Sequence, residues 1–292
     1  MHREEEHDNK IWKRFLTSYI AGTSSLDSKE MALGIATNSE YPLSDTNSRL
    51  GFEFYRVPIR QGGIDIDATV SPVKYTVIFS AILPTSISGK INEIGIYSGQ
   101  SYTKNFYSSQ FISNFELPYE WTPEPALDQV NSRILDSSLI FTSNSTSPRE
   151  YTYPLTGLDI SGYNPLDTMC LSYRANDANL SSVKVRLYSS DSDYIQFTFT
   201  GHVVGNNLKS LYMSNGVTAG TFNAESIIKL GITITPTSAQ TSVSMDGLRI
   251  NDEDTFDPAY GLIARSILTS EMIKVVGREA SIEFKLDLSF GS

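Results

Sequence analysis

Two carboxylates set inside apolar runs carry the most chemical potential in this chain. Glu93 lies in Lys90-Ile91-Asn92-Glu93-Ile94-Gly95-Ile96-Tyr97, and Asp246 in Met245-Asp246-Gly247-Leu248-Arg249-Ile250. A carboxylate removed from water needs a cation, a metal or several N–H donors. Glu93 therefore predicts a buried partner elsewhere. Asp246 is the weak candidate for a metal ligand, and a structural carboxylate bonded to backbone amides is the simpler reading. The acidic clusters Asp191-Ser192-Asp193 and Asn251-Asp252-Glu253-Asp254 offer oxygen ligands of the kind calcium takes. The second lacks the glycine and final glutamate of an EF-hand loop, and both read as solvated turns. Tyr163, Tyr188, Tyr194 and Tyr212 could stack on sugars, against the ordinary reading of a half-buried strand tyrosine.

Covalent and acid–base catalysis find little support. Of the three histidines, His2 and His7 fall in the charged leader and His202 stands alone. No histidine–carboxylate–nucleophile order and no HExxH pattern is present. Cys170, the single cysteine, sits in Met169-Cys170-Leu171 and reads as a small buried hydrophobe. It excludes an internal disulfide and a thiolate zinc cluster. Gly62-Gly63 reads as a turn, not a phosphate loop. The expectation is no catalytic residue, no cofactor and no enzyme. A formal charge of −10, from 23 basic and 33 acidic residues, argues against a nucleic-acid partner. No window approaches 18 apolar residues, so no membrane insertion is expected, and the charged start predicts no signal peptide.

The elements that must hold these residues are mostly strands. Residues 10–21 form the exception. Ile11, Phe15 and Tyr19, with Trp12, Leu16 and Ile20 on the flank, make an apolar stripe at helical spacing. This predicts one N-terminal helix, packed on its own domain or on a neighbouring subunit. Strands are expected at 31–36, 52–59, 64–70, 74–83 and 90–97, with Pro58 and Gly62-Gly63 as a hairpin connection. Gly95 inside a strand predicts a bulge or a close backbone approach. Residues 98–126, rich in Ser, Asn, Tyr and Pro, read as a loop and then a linker.

From 129 onward, candidate strands recur at 134–142, 149–154, 169–174, 183–188, 194–199, 209–213, 227–235 and 241–250. Val183, Val185 and Leu187 alternate with Lys184, Arg186 and Tyr188. Ile195, Phe197 and Phe199 alternate with Gln196, Thr198 and Thr200; Leu230, Ile232 and Ile234 alternate with Lys229, Gly231 and Thr233. One wet and one buried face is the pattern of an antiparallel sandwich. Residues 251–260 read as a second linker, followed by strands at 262–268 and 280–290. Two strands make no stable domain alone. The predicted fold is therefore mainly β: a split β domain, 1–128 plus 253–292, with an inserted antiparallel jelly-roll β-sandwich at 129–252.

Two resemblances extend this reading. Leu50-Gly51-Phe52-Glu53-Phe54-Tyr55-Arg56-Val57-Pro58-Ile59 and Ile91-Asn92-Glu93-Ile94-Gly95-Ile96-Tyr97 resemble virion proteins of tailed bacteriophages, with their "E-x-x-R-x-P-I" and "I-x-E-I-G" strands. Leu262-Ile263-Ala264-Arg265-Ser266, Ile273-Lys274 and Ile282–Leu286 resemble the same module closing. The matching positions are Glu53, Arg56, Pro58, Glu93, Gly95, Arg265 and Lys274. The resemblance implies a tail, baseplate or neck/collar fibre-type component, assembled in the host bacterial cytoplasm and located in the virion. Its implied partners are other virion proteins and further copies of itself, as a trimer or ring. Residues 158–163, 171–174, 183–187 and 243–250 resemble jelly-roll modules of the carbohydrate-binding type. That implies the alternative of an adhesin binding a host-surface glycan, although no obvious aromatic row is visible.

Overall fold

A computed structural model describes residues 30–44, 47, 49–97, 110–144, 147–252 and 262–289. The helix expected at 10–21 and most of the linker expected at 251–260 lie outside these residues. The described strands are β1 (Glu30–Gly34), β2 (Glu53–Pro58), β3 (Gln61–Asp67), β4 (Lys74–Leu83), β5 (Gly89–Tyr97) and β6 (Gln110–Ser113). Then come β7 (Ala126–Asp128), β8 (Ser138–Ser143), β9 (Arg149–Leu158), β10 (Thr168–Ala175), β11 (Leu180–Tyr188) and β12 (Tyr194–Phe199). The last are β13 (Gly205–Tyr212), β14 (Val217–Ala219), β15 (Ile227–Pro236), β16 (Thr241–Asn251), β17 (Leu262–Lys274) and β18 (Ala280–Ser289). Every pairing between these strands is antiparallel.

The described residues fall into two compact units, 30–97 with 262–289, and 110–252. The first holds a sheet of order β17-β5-β1-β2 and a sheet of order β18-β4-β3. β17 joins β5 with Leu262 opposite Tyr97 and Lys274 opposite Gly89. β18 lies along the whole of β4. The late strands thus complete sheets begun nearly two hundred residues earlier. The expected hairpin between 52–59 and 64–70 does not form. β2 pairs with β1, whereas β3 pairs with β4 in the other sheet. Gly62 and Gly63 are strand residues opposite Phe79 and Ile78, not a turn. A Cβ at Gly62 would meet only the Ile78 carbonyl, at 3.6 Å, and one at Gly63 nothing within 4 Å, so no close approach requires either glycine.

The second unit packs β13-β10-β16-β8-β7 against β14-β12-β11-β15-β9. Its core interleaves Met169, Leu171 and Tyr173 of one sheet with Val183, Val185, Leu187, Phe197 and Ile232 of the other. The alternation read from the sequence is what places these side chains inward. Residues 110–128, assigned by sequence to the first domain as loop and linker, belong here instead. β6 pairs with β16 and β7 with β8. Trp121 explains the allegiance: its ring meets Phe141 edge-on at 4.9 Å and stacks with Phe115 at 5.7 Å. Residues 134–137, expected as strand, hold a single β-bridge residue at Ile134 and otherwise no strand before β8 begins.

Candidate functional site

The outward side of β11 meets the outward sides of β12 and β15 in register. Tyr194, Tyr188 and Lys229 form one row; Gln196, Arg186 and Gly231 form the next; Thr198, Lys184 and Thr233 form a third. β9 extends these rows with Pro154, Thr152 and Glu150. The two tyrosine rings are neighbours, 5.2 Å between centroids. The Arg186 guanidinium lies 4.9 Å from the Tyr194 ring centre, and the Lys229 ammonium 4.5 Å from that of Tyr188. Both cations sit on ring faces, where the negative quadrupole attracts them.

A continuous set of hydrogen bonds fixes these groups. Arg186 donates from Nε to Gln196 Oε1 at 2.8 Å, and Gln196 Nε2 donates to Thr198 Oγ1 at 3.2 Å. Arg186 Nη1 donates to Glu150 Oε1 at 3.1 Å and to the Tyr188 hydroxyl at 3.3 Å. That hydroxyl donates to Glu150 Oε1 at 2.6 Å. Burial and the bond to Glu150 push the Tyr188 hydroxyl up to about 12, so it stays a neutral donor. Burial works against the charge on Arg186, but Tyr188 and Glu150 outweigh it and hold its pKa above the usual value. Gly231 makes the crossing possible. A Cβ there would lie 2.6 Å from Glu150 Oε1 and 2.8 Å from Tyr188 Cε2. The Arg186 and Glu150 side chains remain 21% and 31% exposed, so water or a ligand reaches them.

Of the four tyrosines singled out by sequence, the structure brings Tyr188 and Tyr194 together. Tyr163 packs against the sandwich core, and Tyr212 lies at the end of β13, away from this face. Sequence reasoning missed Arg186, Gln196, Glu150 and Gly231 as members of a site. Three of them were visible as wet-face residues. Their convergence depends on strand order, which alternation does not reveal.

Asp246 is elsewhere, on the covered side of the other sheet. β10 and β16 slip register there: Ser172 faces Gly247 and Tyr173 faces Met245, leaving Asp246 as the extra residue. Such a bulge re-aims its side chain. The carboxylate accepts from the backbone amides of Arg133 at 3.1 Å and Ile134 at 3.2 Å. Burial pushes its pKa up to about 7, although the two amides pull the other way. It is an internal fastener for the 134–137 loop. Among the described residues no group of three or more His, Cys, Asp or Glu is placed to hold a metal. Asp193 likewise organises a turn, accepting from Ser190 Oγ at 2.8 Å and the Thr221 amide at 3.0 Å.

The remaining singled-out residues occupy the interior of the first unit. Glu93 accepts from the amides of Gly51 at 3.0 Å and Phe52 at 2.9 Å, and pairs with Arg265 Nη2 at 2.8 Å across 172 residues of sequence. Arg56 pairs with Glu53 at 2.6 Å and Glu30 at 3.3 Å, and lies 4.0 Å from the Tyr97 ring centre. The Tyr97 hydroxyl accepts from the Leu50 amide at 3.1 Å, joining the two groups. Burial disfavours the Arg56 charge, yet Glu53 and its neighbours raise its pKa well above normal. Gly95 lies where a Cβ would come within 2.8 Å of Leu262 and 2.9 Å of Leu50. Lys274 Nζ is enclosed by the carbonyls of Ile87, Val275 and Arg278 at 3.0, 2.7 and 2.6 Å. Pro58 closes β2, exposed and outside this cluster.

No family model matches the chain, and no curated protein does. Solved structures similar to it include the family 11 carbohydrate-binding module of a cellulosomal cellulase of Clostridium thermocellum. That match has 10% identity and a TM-score of 0.38, over 49% of this chain and 93% of that one. The Clostridium thermocellum module in complex with a β-1,3-1,4-mixed-linked tetrasaccharide matches at 12% identity and a TM-score of 0.37, over 49% and 94%. The glycoside hydrolase domain of Endo-D from Streptococcus pneumoniae R6 matches at 10% identity and a TM-score of 0.33, over 50% of this chain and 22% of that one. None of those named is a virion protein.

Proposed function

We propose that the unit at 110–252 is a non-catalytic glycan-binding module, and that its ligand lies on the Tyr188–Tyr194 face. One observation carries this: the half-buried Tyr194 ring, set against the buried Tyr188, stands beside Arg186, Gln196 and Glu150, which are already locked by one another. A pyranose presents an apolar C–H face and a hydroxyl edge. Aromatic rings suit the first, and planar donors and acceptors suit the second. A pre-ordered polar set avoids the entropy of arranging side chains on binding. Glu150 is the one carboxylate in these rows, whereas the usual glycosidases need two. Binding of the full chain to an immobilised glycan panel, lost in Tyr194→Ala with unchanged thermal unfolding, is the expected result. Equal binding by both proteins, or binding by neither, would remove the reading.

A second reading, a bacteriophage virion component that docks through the split unit as a trimer or ring, is favoured by a separate observation. Glu53, Arg56, Glu93, Gly95 and Arg265, which carry the sequence resemblance, meet in the interior of that unit around Tyr97 and Leu50. Both readings hold together if the virion displays many copies, since repetition gives avidity to weak glycan contacts. Sedimentation of the full chain tests the oligomer: a trimer or closed ring is expected, and a monomer at all concentrations counts against it.

A further inference from the structure

The outer face of β9, β15, β11 and β12 is out of step with the charge of the unit that carries it. Residues 110–252 hold fourteen Asp and Glu but only eight Lys and Arg. Three of those cations, Lys184, Arg186 and Lys229, stand in the rows of this face, against one carboxylate, Glu150. Two of the three are already answered. Arg186 is paired with Glu150, and Lys229 with Asp191 of the β11–β12 turn at 2.9 Å. Lys184 is half-buried, and none of the ion pairs or hydrogen bonds among the described residues includes it. Its cross-strand neighbours do not engage it either: Thr198 Oγ1 accepts from Gln196, and Thr233 Oγ1 is buried with no hydrogen-bond partner.

The hydrogen bonds of this face run toward that lysine. Arg186 donates to Gln196 and Gln196 donates to Thr198, which keeps its own O–H to donate outward. Thr198 is exposed and directly opposite Lys184, a pairing that puts the two Cβ atoms about 5 Å apart. The row therefore ends in two donors, an ammonium and a hydroxyl. A sugar hydroxyl can accept from either, but only an anion also answers the ammonium's charge. We infer that the ligand of this face is an acidic saccharide whose carboxylate is held by Lys184 and Thr198; this rests on the glycan-binding reading of the same face. Thr198 lies four residues along β12 from Tyr194, about 13 Å. The ligand accordingly spans more than one sugar ring, with an apolar ring face on Tyr194 and a uronate at Lys184.

The test uses the full chain and matched polysaccharides: polygalacturonate, alginate and hyaluronate, each beside its carboxyl-reduced neutral form. At least one acid form is expected to bind, roughly tenfold or more tighter than its reduced form, the order of one charge-assisted bond. Raising salt from about 0.1 M to about 1 M should shrink that preference, because a partly exposed pair is screened. Lys184→Gln should bring the preference close to one without moving the unfolding midpoint, since the ammonium holds nothing within the protein. A preference that survives Lys184→Gln would overturn the inference. So would equal binding of acid and reduced forms, or binding of neutral glycans alone; either of these, if lost in Tyr194→Ala, leaves the glycan-binding reading standing. Binding of no saccharide in any form would remove both.

Discussion

The same three residue types meet twice in this molecule, with opposite consequences. In the split unit, Arg56 lies against Tyr97 and is paired with Glu53, its side chain 1% exposed. In the sandwich, Arg186 lies against Tyr194 and is paired with Glu150, its side chain 21% exposed. The first group is closed over by β-strands and fastens distant segments. The second lies on the outer side of a sheet, where Tyr194, Arg186, Gln196 and Glu150 are half-buried around the buried Tyr188. An arginine–glutamate–tyrosine group is closed off in one unit and left partly open to solvent in the other, according to what covers it.

The largest predicted effect lies in the covered region. Arg265→Ala leaves Glu93 inside the protein without its guanidinium, and breaking a buried pair costs about 3–5 kcal/mol. Urea denaturation should show the unit at 30–97 with 262–289 unfolding early, while near-UV signals from Trp121 in the sandwich persist. Simultaneous loss of both units would show that the two are not independent. Glu150→Gln makes the contrast, since a partly exposed pair contributes roughly 0–1 kcal/mol. It should leave the unfolding midpoint nearly unchanged and weaken glycan binding.

Asp246 sharpens the comparison through pH. Its carboxyl is pushed up to about 7 in the folded protein, from the ordinary carboxylate range in the unfolded chain. Between those values the folded state binds the extra proton, so stability falls as pH rises toward 7. The drop should amount to a few kcal/mol, since each unit is worth about 1.4 kcal/mol. Asp246→Asn should flatten thermal stability between pH 5 and 8, both values lying about the shifted pKa. An unchanged pH profile would contradict this assignment.

The glycines give the smallest and most local contrast. Gly95→Ala must displace Leu50 and Leu262 in a packed interior, costing about 1–3 kcal/mol. Gly231→Ala should instead push Glu150 off the Tyr188 hydroxyl, changing affinity more than stability. Equal stability losses at the two sites, read from denaturation midpoints, would erase the distinction between the regions.

Much of this was legible in the chain. Strict alternation at 183–188, 194–199 and 227–235 announced the sandwich because one face of each strand is wet. Glu93 announced a buried partner because an isolated carboxylate is too costly inside. The strands at 110–113 and 126–128 escaped notice because they are short and lack alternation. Their place is set by Trp121 and by pairing with β16 and β8. Gly62-Gly63 imitated a turn because glycine composition is the same at a sheet edge and in a hairpin. The Tyr188–Tyr194 face escaped because no single strand carries it; the register between β11 and β12 assembles it.

Saccharide titration of three full-length proteins, native, Tyr194→Ala with Arg186→Ala, and Arg265→Ala, tests the central claim most directly. With a ligand from the glycan panel, binding should vanish in the outer-face variant and survive in the Arg265 variant. Binding retained by the outer-face variant would contradict the account.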